Sequence, residues 1–429
     1  MKTDNSCTEA VYELSDSAKP AQRASVAGRE CDMVDAWGAG MTQKVALIMA
    51  GGTGGHIFPG LAVAQALRDK GWRVHWLGAP GSMESRIVPI RGIPLELVEF
   101  GGVRGKGIKT LALLPLKLLR AFWQSLLVVR RVKPDVLVGL GGYITFPGGM
   151  MGVLCGKPLV LHEQNSVAGM ANKVLAGVAD RVFSAFPNAM PKAEWVGNPL
   201  RAEFLNLPAP EVRFAGRSGP LKVLVVGGSL GARALNTVVP QALALIPEAQ
   251  RPVVTHQAGE KQIDELRANY AAAGIAVHMS VAGKPQDAKV PVRSDPSGNG
   301  GSVVREATSV GVTITPFIDN TAQAFADADL VICRAGASTV TELAAVGAAA
   351  AFVPFPAAVD DHQTFNARFL VDQGGGWLLP QATLSPEVLA EMLLKTERSA
   401  LMQRALGAKK MQKLHATEAV VAACEELAT

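Results

Sequence analysis

The chain has 429 residues, 48% of them hydrophobic, with a mean hydropathy of +0.21 and a formal net charge of +5. That is enough apolar material for two cored domains and too mild a charge to point to nucleic acid. Its five cysteines, Cys7, Cys31, Cys155, Cys333 and Cys424, share no CxxC spacing, which argues against a zinc site or a disulfide framework and fits a reducing cytoplasm.

Residues 1–40 are polar, contain no apolar h-region and precede Met41. They read as a disordered extension ahead of a functional start at Met41, not as a signal peptide. From Lys44, strands expected at 45–50, 73–78, 95–99, 136–140, 159–162 and 182–184 alternate with longer helical patterns. This order predicts a parallel sheet with crossover helices in a first domain over 44–200. Between Arg104 and Pro134 lie eight basic residues and no acidic one. Among them Ile108, Leu111, Leu114, Leu118, Leu119, Phe122, Trp123, Leu126 and Leu127 recur at helical spacing. Such a segment suits an anionic membrane surface, but its longest charge-free run, Ala121 to Val129, is nine residues and too short to span. A crossover helix with an ordinary core face is the alternative, and Trp123 or Leu126 taken singly would favour it.

After a Pro- and Arg-rich linker over 198–220, alternation restarts, with strands expected at 222–226, 252–256, 312–315, 330–333 and 350–354. They define a second domain over 201–407. Residues 280–311 hold Gly, Ser, Pro and charge with little apolar content, which predicts a mobile surface insertion. A helical pattern over about 408–429 is expected to cross back to the first domain.

Two Gly-rich turns, 51–56 and 227–233, each follow a strand and open a helix. Backbone N–H groups at such helix starts favour anions. A dinucleotide cofactor would also need a carboxylate at the end of the second strand, and Arg73-Val74-His75-Trp76-Leu77-Gly78 has none. A third strand, small-residue turn and helix start covers Cys333 to Glu342, where Glu342 is placed to accept from vicinal ribose hydroxyls or is an ordinary first-turn acid. Asp360 to Asn366 is a cluster of hydrogen-bonding side chains suited to a sugar, or a polar loop capping a helix. The one Asp-x-Asp, Asp327-Ala328-Asp329, reads as a helix end, so no metal ligand set is assigned.

Seven segments, GGTGGHIFPGLAVA (51–64), GLGGY (139–143), HEQN (162–165), GNPLR (197–201), GGSLGAR (227–233), RAGASTVTEL (334–343) and DDHQTFNA (360–367), together resemble the MurG family of bacterial UDP-N-acetylglucosamine:lipid I N-acetylglucosaminyltransferases. The resemblance runs from about Lys44 to the C-terminus, and departs from the family in the extension before Met41 and the long 280–311 segment. It implies the α/β GT-B fold, two Rossmann-like domains whose parallel sheets face a cleft. The implied reaction moves GlcNAc from UDP-GlcNAc to the C4 hydroxyl of MurNAc in undecaprenyl-diphosphate-linked MurNAc-pentapeptide (lipid I to lipid II), with inversion, in peptidoglycan synthesis. The expected setting is peripheral, on the cytoplasmic face of the inner membrane, alongside other cell-wall synthesis proteins and without nucleic acid.

The resemblance implies that Ser229 and Ala337, Ser338, Thr339, Val340 and Thr341 approach the diphosphate and ribose, Glu342 the ribose hydroxyls, Ile318 the uracil, and Gln363 and Asn366 the GlcNAc. Thr53, Gly54, Gly55 and Asn165 complete the donor side, and Arg201 sits at the domain junction near phosphate or in a linker ion pair. Gly51, Gly52 and Tyr143 face the acceptor. His56 is the leading candidate for the base that takes the acceptor proton, with acceptor-diphosphate binding as its competing role, and Glu163 is the second candidate. A divalent cation such as Mg could assist without dedicated protein ligands. Three other readings remain open: a GT-B enzyme with another acceptor, a UDP-sugar epimerase, and a catalytically idle nucleotide-sugar-binding scaffold.

Overall fold

A computed structural model describes residues 43–101, 113–228, 231–280 and 311–428. The expected extension 1–40, the start of the basic segment with Ile108, Lys109 and Leu111, the turn residue Ser229, and residues 281–310 of the insertion lie outside the described residues.

The first sheet holds β1 (Val45–Met49), β2 (Arg73–Gly78), β3 (Leu95–Leu97), β4 (Val136–Gly139), β5 (Leu159–Glu163), β6 (Arg181–Ser184) and β7 (Glu194–Trp195), all parallel in the order β3-β2-β1-β4-β5-β6-β7. Its helices are α1 (Gly54–Asp69), α2 (Met83–Ile87), α3 (Leu114–Val132), α4 (Thr145–Leu154) and α5 (Met170–Leu175). The central strands β1 and β4 are buried along their whole length, because helices cover both faces of a parallel sheet. Alternate residues therefore feed two separate cores. Ala46 and Ile48 pack with Val63, Leu67 and Trp76, while Leu47 and Met49 pack with Val128, Val129 and Val132 of α3.

The second sheet holds β8 (Lys222–Val226), β9 (Val253–Gln257), β10 (Val277–Met279), β11 (Val312–Thr315), β12 (Leu330–Cys333), β13 (Ala350–Phe352) and β14 (Gly376–Leu378), again parallel, in the order β10-β11-β9-β8-β12-β13-β14. Around it run α6 (Pro210–Phe214), α7 (Arg233–Leu245), α8 (Ile263–Ala272), α9 (Thr321–Asp327), α10 (Ala337–Val346), α11 (His362–Val371), α12 (Pro386–Lys395) and α13 (Arg398–Lys410). The chain crosses back over 411–415 into α14 (Ala416–Leu427), whose Val420, Val421 and Cys424 are buried in the core of the first sheet. Lys70 and Glu425 pair across that contact at 2.9 Å.

Three short strands, β7, β10 and β14, were not expected from the sequence. Each has two or three residues and lies at a sheet edge, where no buried run marks it.

The basic segment's helix, α3, carries two apolar stripes on opposite sides. Ala121, Val128, Val129 and Val132 are buried, whereas Leu116 (65% exposed), Leu119 (67%), Trp123 (60%) and Leu127 (46%) stand in solvent. The core reading of Trp123 is thereby corrected, while Leu126 is half-buried. No helix among the described residues is long and apolar enough to cross a membrane.

Candidate active site

In each sheet the first strand lies between neighbours whose connections leave in opposite directions: β1 between β2 and β4, β8 between β9 and β12. The carboxyl ends of such strand pairs form the crevice where open α/β sheets bind ligands. Both Gly-rich turns emerge there.

In the first domain, the turn after β1 meets the turn after β4. Gly51 N–H donates to Gly141 O at 3.4 Å, and a Cβ on Gly142 would stand 2.2 Å from Gly51 O. Gly142 has φ +85°, so both its conformation and its neighbour demand glycine. Beneath the turn lies Glu84 of α2, fully buried. It accepts from Gly52 N–H at 3.1 Å and Ala79 N–H at 3.2 Å, joining the turns after β1 and β2. Tyr143 lies against Gly52, and its hydroxyl is shifted up by burial and by the Glu84 charge. Thr53 is the N-cap of α1, and Gly54, Gly55 and His56 form its first turn. His56 is thus the third helical residue, held more rigidly than a loop side chain.

His56 Nδ1 lies 2.7 Å from Gln164 Oε1. Gln164 Nε2 in turn lies 3.0 Å from His162 Nδ1, and His162 Nε2 is 2.8 Å from Gly197 O. Glu163, at the end of β5, is 2% exposed. Its Oε1 accepts from Asn165 N–H (2.9 Å) and Asn165 Nδ2 (3.3 Å), and its Oε2 from Gly169 N–H (3.3 Å) and Asn172 Nδ2 (2.8 Å). Four donors on one buried carboxylate make Glu163 an organiser of the loop after β5.

On the second domain, Gln257 at the end of β9 braces the turn after β8. Its Oε1 accepts from Gly228 N–H at 3.0 Å, while its Nε2 donates to Gly228 O (3.1 Å) and to Pro316 O (3.0 Å) of the loop carrying Ile318. Ile318 is partly buried at the edge of the core. α10 begins at Ala337 with Ser338 and Thr339 in its first turn. Val340 points into the core with 0% exposure, so it can meet a ligand only through its backbone. Thr341 Oγ1 donates back to Ala337 O and Ser338 O, both at 3.0 Å.

The two domains meet at this helix. Asn198 Nδ2 donates to Ser338 Oγ (3.5 Å) and Thr341 Oγ1 (3.4 Å). Arg201 pairs with Glu203 at 2.7 Å and with Glu342 at 3.5 Å, under the rings of Phe58 and Phe204. The linker ion pair and the junction position expected as alternatives for Arg201 are therefore one arrangement. Burial pushes the Glu342 carboxyl up to about 7, outweighing the attraction and hydrogen bond from Arg201, with repulsion from Glu203 adding to it. Asn198 Oδ1 and Arg201 Nε are buried without a hydrogen-bond partner among the described residues, an uncommon state for such atoms.

α11 supplies Gln363 and Asn366. Gln363 Oε1 accepts from Phe355 N–H at 2.9 Å, tying the loop after β13 to the helix. Asn366, expected to read a sugar, is wholly buried instead. Its Oδ1 accepts from Ser166 N–H (2.9 Å) and Ser166 Oγ (2.7 Å), and its Nδ2 donates to Ala335 O (3.2 Å) and to Asn165 Oδ1 (3.5 Å). These bonds make Asn366 an interdomain latch. Asp360 and Asp361 hold left-handed φ of 53° and 51° at the start of α11, a region that aspartate enters more readily than most non-glycine residues. Asp361 Oδ1 accepts from Thr364 Oγ1 at 2.7 Å. Asp329 of the Asp-x-Asp is buried between Arg217 (2.6 Å) and Arg398 (3.1 Å), a structural ion triad.

Sequence reasoning missed Glu84 and Gln257. No motif marks either one, and both matter because chain segments distant from them donate to their oxygens. His162, Gln164 and Asn198 lay inside quoted motifs, yet spacing alone assigned them nothing.

Residues 46–184 match the glycosyltransferase family 28 N-terminal domain, and residues 222–283 and 296–422 match the glycosyltransferase family 28 C-terminal domain. The UDP-N-acetylglucosamine--N-acetylmuramyl-(pentapeptide) pyrophosphoryl-undecaprenol N-acetylglucosamine transferase of Paracidovorax citrulli (strain AAC00-1) is 67% identical, over 90% of this chain and 98% of its own. The protein of the same name from Polaromonas sp. (strain JS666 / ATCC BAA-500) is 67% identical, over 90% and 92%. The crystal structure of Acinetobacter baumannii MurG superposes with a TM-score of 0.72 at 37% identity, over 89% of this chain and 99% of that one. The two parallel sheets are thus the pair of Rossmann-like domains of a GT-B glycosyltransferase, and the chain belongs to the MurG family within glycosyltransferase family 28.

Proposed function

We propose that this cleft transfers N-acetylglucosamine from UDP-N-acetylglucosamine to the C4 hydroxyl of the N-acetylmuramoyl residue of undecaprenyl-diphosphate-linked N-acetylmuramoyl-pentapeptide, with inversion, in peptidoglycan synthesis. The observation that carries the reading is the contact between α1, with His56 in its first turn, and α10, with Ser338 and Thr339 in its first turn and Glu342 in its second. This contact supports reading His56 as the proton acceptor and the start of α10 as the diphosphate site.

In the reaction, the acceptor O4 attacks the sugar C1 from the face opposite UDP. The O4–C1 bond forms as the bond from C1 to the β-phosphate oxygen breaks, UDP leaves with that electron pair, and the O4 proton passes to His56 Nε2. The start of α10, Ser229 and Arg201 meet the diphosphate charge, and the orphaned Nε of Arg201 is a donor suited to that oxyanion. Glu342 accepts from the ribose hydroxyls, Ile318 packs on the uracil, and Gln363 reads the transferred sugar. Thr53, Gly54, Gly55 and Asn165 close the donor side. Glu163 acts by holding Asn165. Gly51, Gly52 and Tyr143 face the acceptor diphosphate. No protein-held metal enters this scheme, although a divalent cation such as Mg can assist without dedicated ligands.

The deciding experiment is transfer to a lipid I analogue from UDP-GlcNAc against other UDP-sugars. Product only with UDP-GlcNAc is expected. Binding without transfer would make the chain a scaffold, and interconversion of the free UDP-sugar an epimerase.

Glu342 ties donor binding to pH. Only its carboxylate form accepts from both ribose hydroxyls, and with a pKa of about 7 it is mostly protonated at pH 6 and mostly ionised at pH 8. UDP-GlcNAc, whose diphosphate is esterified at both ends, should bind about tenfold more weakly at pH 6 than at pH 8. Isothermal titration across that range checks this, and Glu342→Gln should flatten the profile while weakening binding at pH 8.

The lipid-linked acceptor places the protein peripherally on the cytoplasmic face of the inner membrane, near other cell-wall synthesis proteins. The outer stripe of α3 supplies the surface: exposed Leu116, Leu119, Trp123 and Leu127, with Lys117, Arg120 and Arg130 exposed beside them. Co-flotation with anionic vesicles at low salt is expected, and Leu116→Glu with Trp123→Glu should reduce it by about tenfold or more. Equal flotation of that double variant would remove α3 from the membrane surface.

A further inference from the structure

His56, Gln164 and His162 form one hydrogen-bonded line that ends on a main-chain carbonyl, and the protons along it can be assigned from that end. A carbonyl only accepts, so His162 Nε2, 2.8 Å from Gly197 O, carries a hydrogen. His162 is wholly buried, and burial pushes its pKa down to about 4 against the pull of the Gly197 carbonyl, so the ring is neutral near pH 7. Its Nδ1 is then a lone pair. Gln164 must turn its amide nitrogen toward that atom, at 3.0 Å, and the same nitrogen lies 3.1 Å from the His162 carbonyl. Two acceptors on one side fix the amide's orientation. Its Oε1 is left facing His56 Nδ1 at 2.7 Å, and an amide oxygen only accepts.

We propose that Gln164, oriented by His162, is a positioning residue that holds His56 in the Nδ1–H tautomer and so keeps the Nε2 lone pair for the acceptor hydroxyl. This rests on the reading of His56 as base. Gln164 is 1% exposed and His162 0%, so little solvent competes for these bonds. When His56 gains its second proton, Nδ1–H still donates to Gln164, and no partner has to rearrange during transfer. A histidine ligand in a metal site or a hydrolase triad is tuned in the same way by the group behind it.

The test is nitrogen-15 NMR of the full chain with labelled histidine, its seven histidines sorted by comparison with His56→Gln, alongside steady-state and single-turnover kinetics. Wild type is expected to show His56 protonated at Nδ1 and unprotonated at Nε2. Gln164→Met, close in size but without the acceptor, should lose that signature and lower kcat by about 10- to 100-fold, with KM for UDP-GlcNAc within about twofold. Gln164→Glu keeps an acceptor toward His56 when its other oxygen, which meets His162 Nδ1 and the His162 carbonyl, carries a proton, and in that form should restore the signature and part of kcat. His162→Leu leaves the main-chain carbonyl to orient the amide and should lose less than Gln164→Met. A wild-type His56 protonated at Nε2, or a Gln164→Met protein with unchanged tautomer and kcat, overturns the proposal. Should Gln164→Met fail to fold, the wild-type and Gln164→Glu spectra still decide it. If His56→Ala keeps normal chemistry, the base reading falls, while the spectra alone judge the positioning.

Discussion

Replacing His56 by alanine is expected to slow single-turnover transfer by about 10²- to 10⁴-fold, the range of a general base removed from its transition state. UDP-GlcNAc affinity should change little if, as proposed, the donor's charge is met by α10 and Arg201. The informative comparison is Glu163→Gln. That side chain keeps an oxygen for the Asn165 N–H, but its amide nitrogen can no longer accept from Gly169 or Asn172. The 164–172 loop should loosen, stability should fall by about 1–3 kcal/mol, and the chemical step should suffer less than in the His56 variant. Single-turnover rates at saturating substrate check the ordering. Near-normal chemistry in His56→Ala with a loss of orders of magnitude in Glu163→Gln would hand the base role to Glu163.

Gly142→Ala should be the most damaging single methyl group in the first domain. Its Cβ would lie 2.2 Å from Gly51 O, a backbone atom that cannot rotate aside, at a φ of +85°. The combined strain is about 2–5 kcal/mol. Gly156→Ala is the control: φ there is +69°, but nothing lies within 4 Å of the new Cβ, so only the backbone term of about 1 kcal/mol applies. Denaturant midpoints of the two variants separate close approach from conformation. Gly142→Ala should also lose transfer, since relieving the clash moves the turn that precedes His56. A midpoint shift no larger than that of Gly156→Ala would show that the turns after β1 and β4 are not locked together.

Much of the fold was legible because its signals are contiguous. β1, β4, β8 and β12 are short, largely buried apolar runs, and their length, β-branched content and flanking turn residues read as central parallel strands. β7, β10 and β14 were not legible, since two or three residues paired along one edge leave no pattern. α3 shows a different limit. Its apolar residues announced a helix, but which stripe met the sheet and which stood in solvent depended on how α3 seats against β1 and α4, and Trp123 fell on the outer side.

The candidate site divides in the same way. Gly-rich turns, the start of α10 and the polar cluster before α11 are local sequences, and their positions at the strand ends followed from spacing. The partners of their side chains did not. Asn366 and Ser166 are 200 residues apart and Asn198 and Thr341 143, so the latch and the junction exist only once both sheets are folded and docked. Glu84 carries no motif, and only the approach of Gly52 and Ala79 makes it an anchor.

Strand positions, domain number, the Gly-rich turns and the family resemblance are properties of neighbouring residues, because burial period and backbone preference act over a few positions. Which groups partner the Asn366 amide, the Glu163 carboxylate and His56 Nδ1 was decided by the tertiary structure. A hydrogen bond acts over about 3 Å, and only the folded chain determines which distant donors and acceptors come that close.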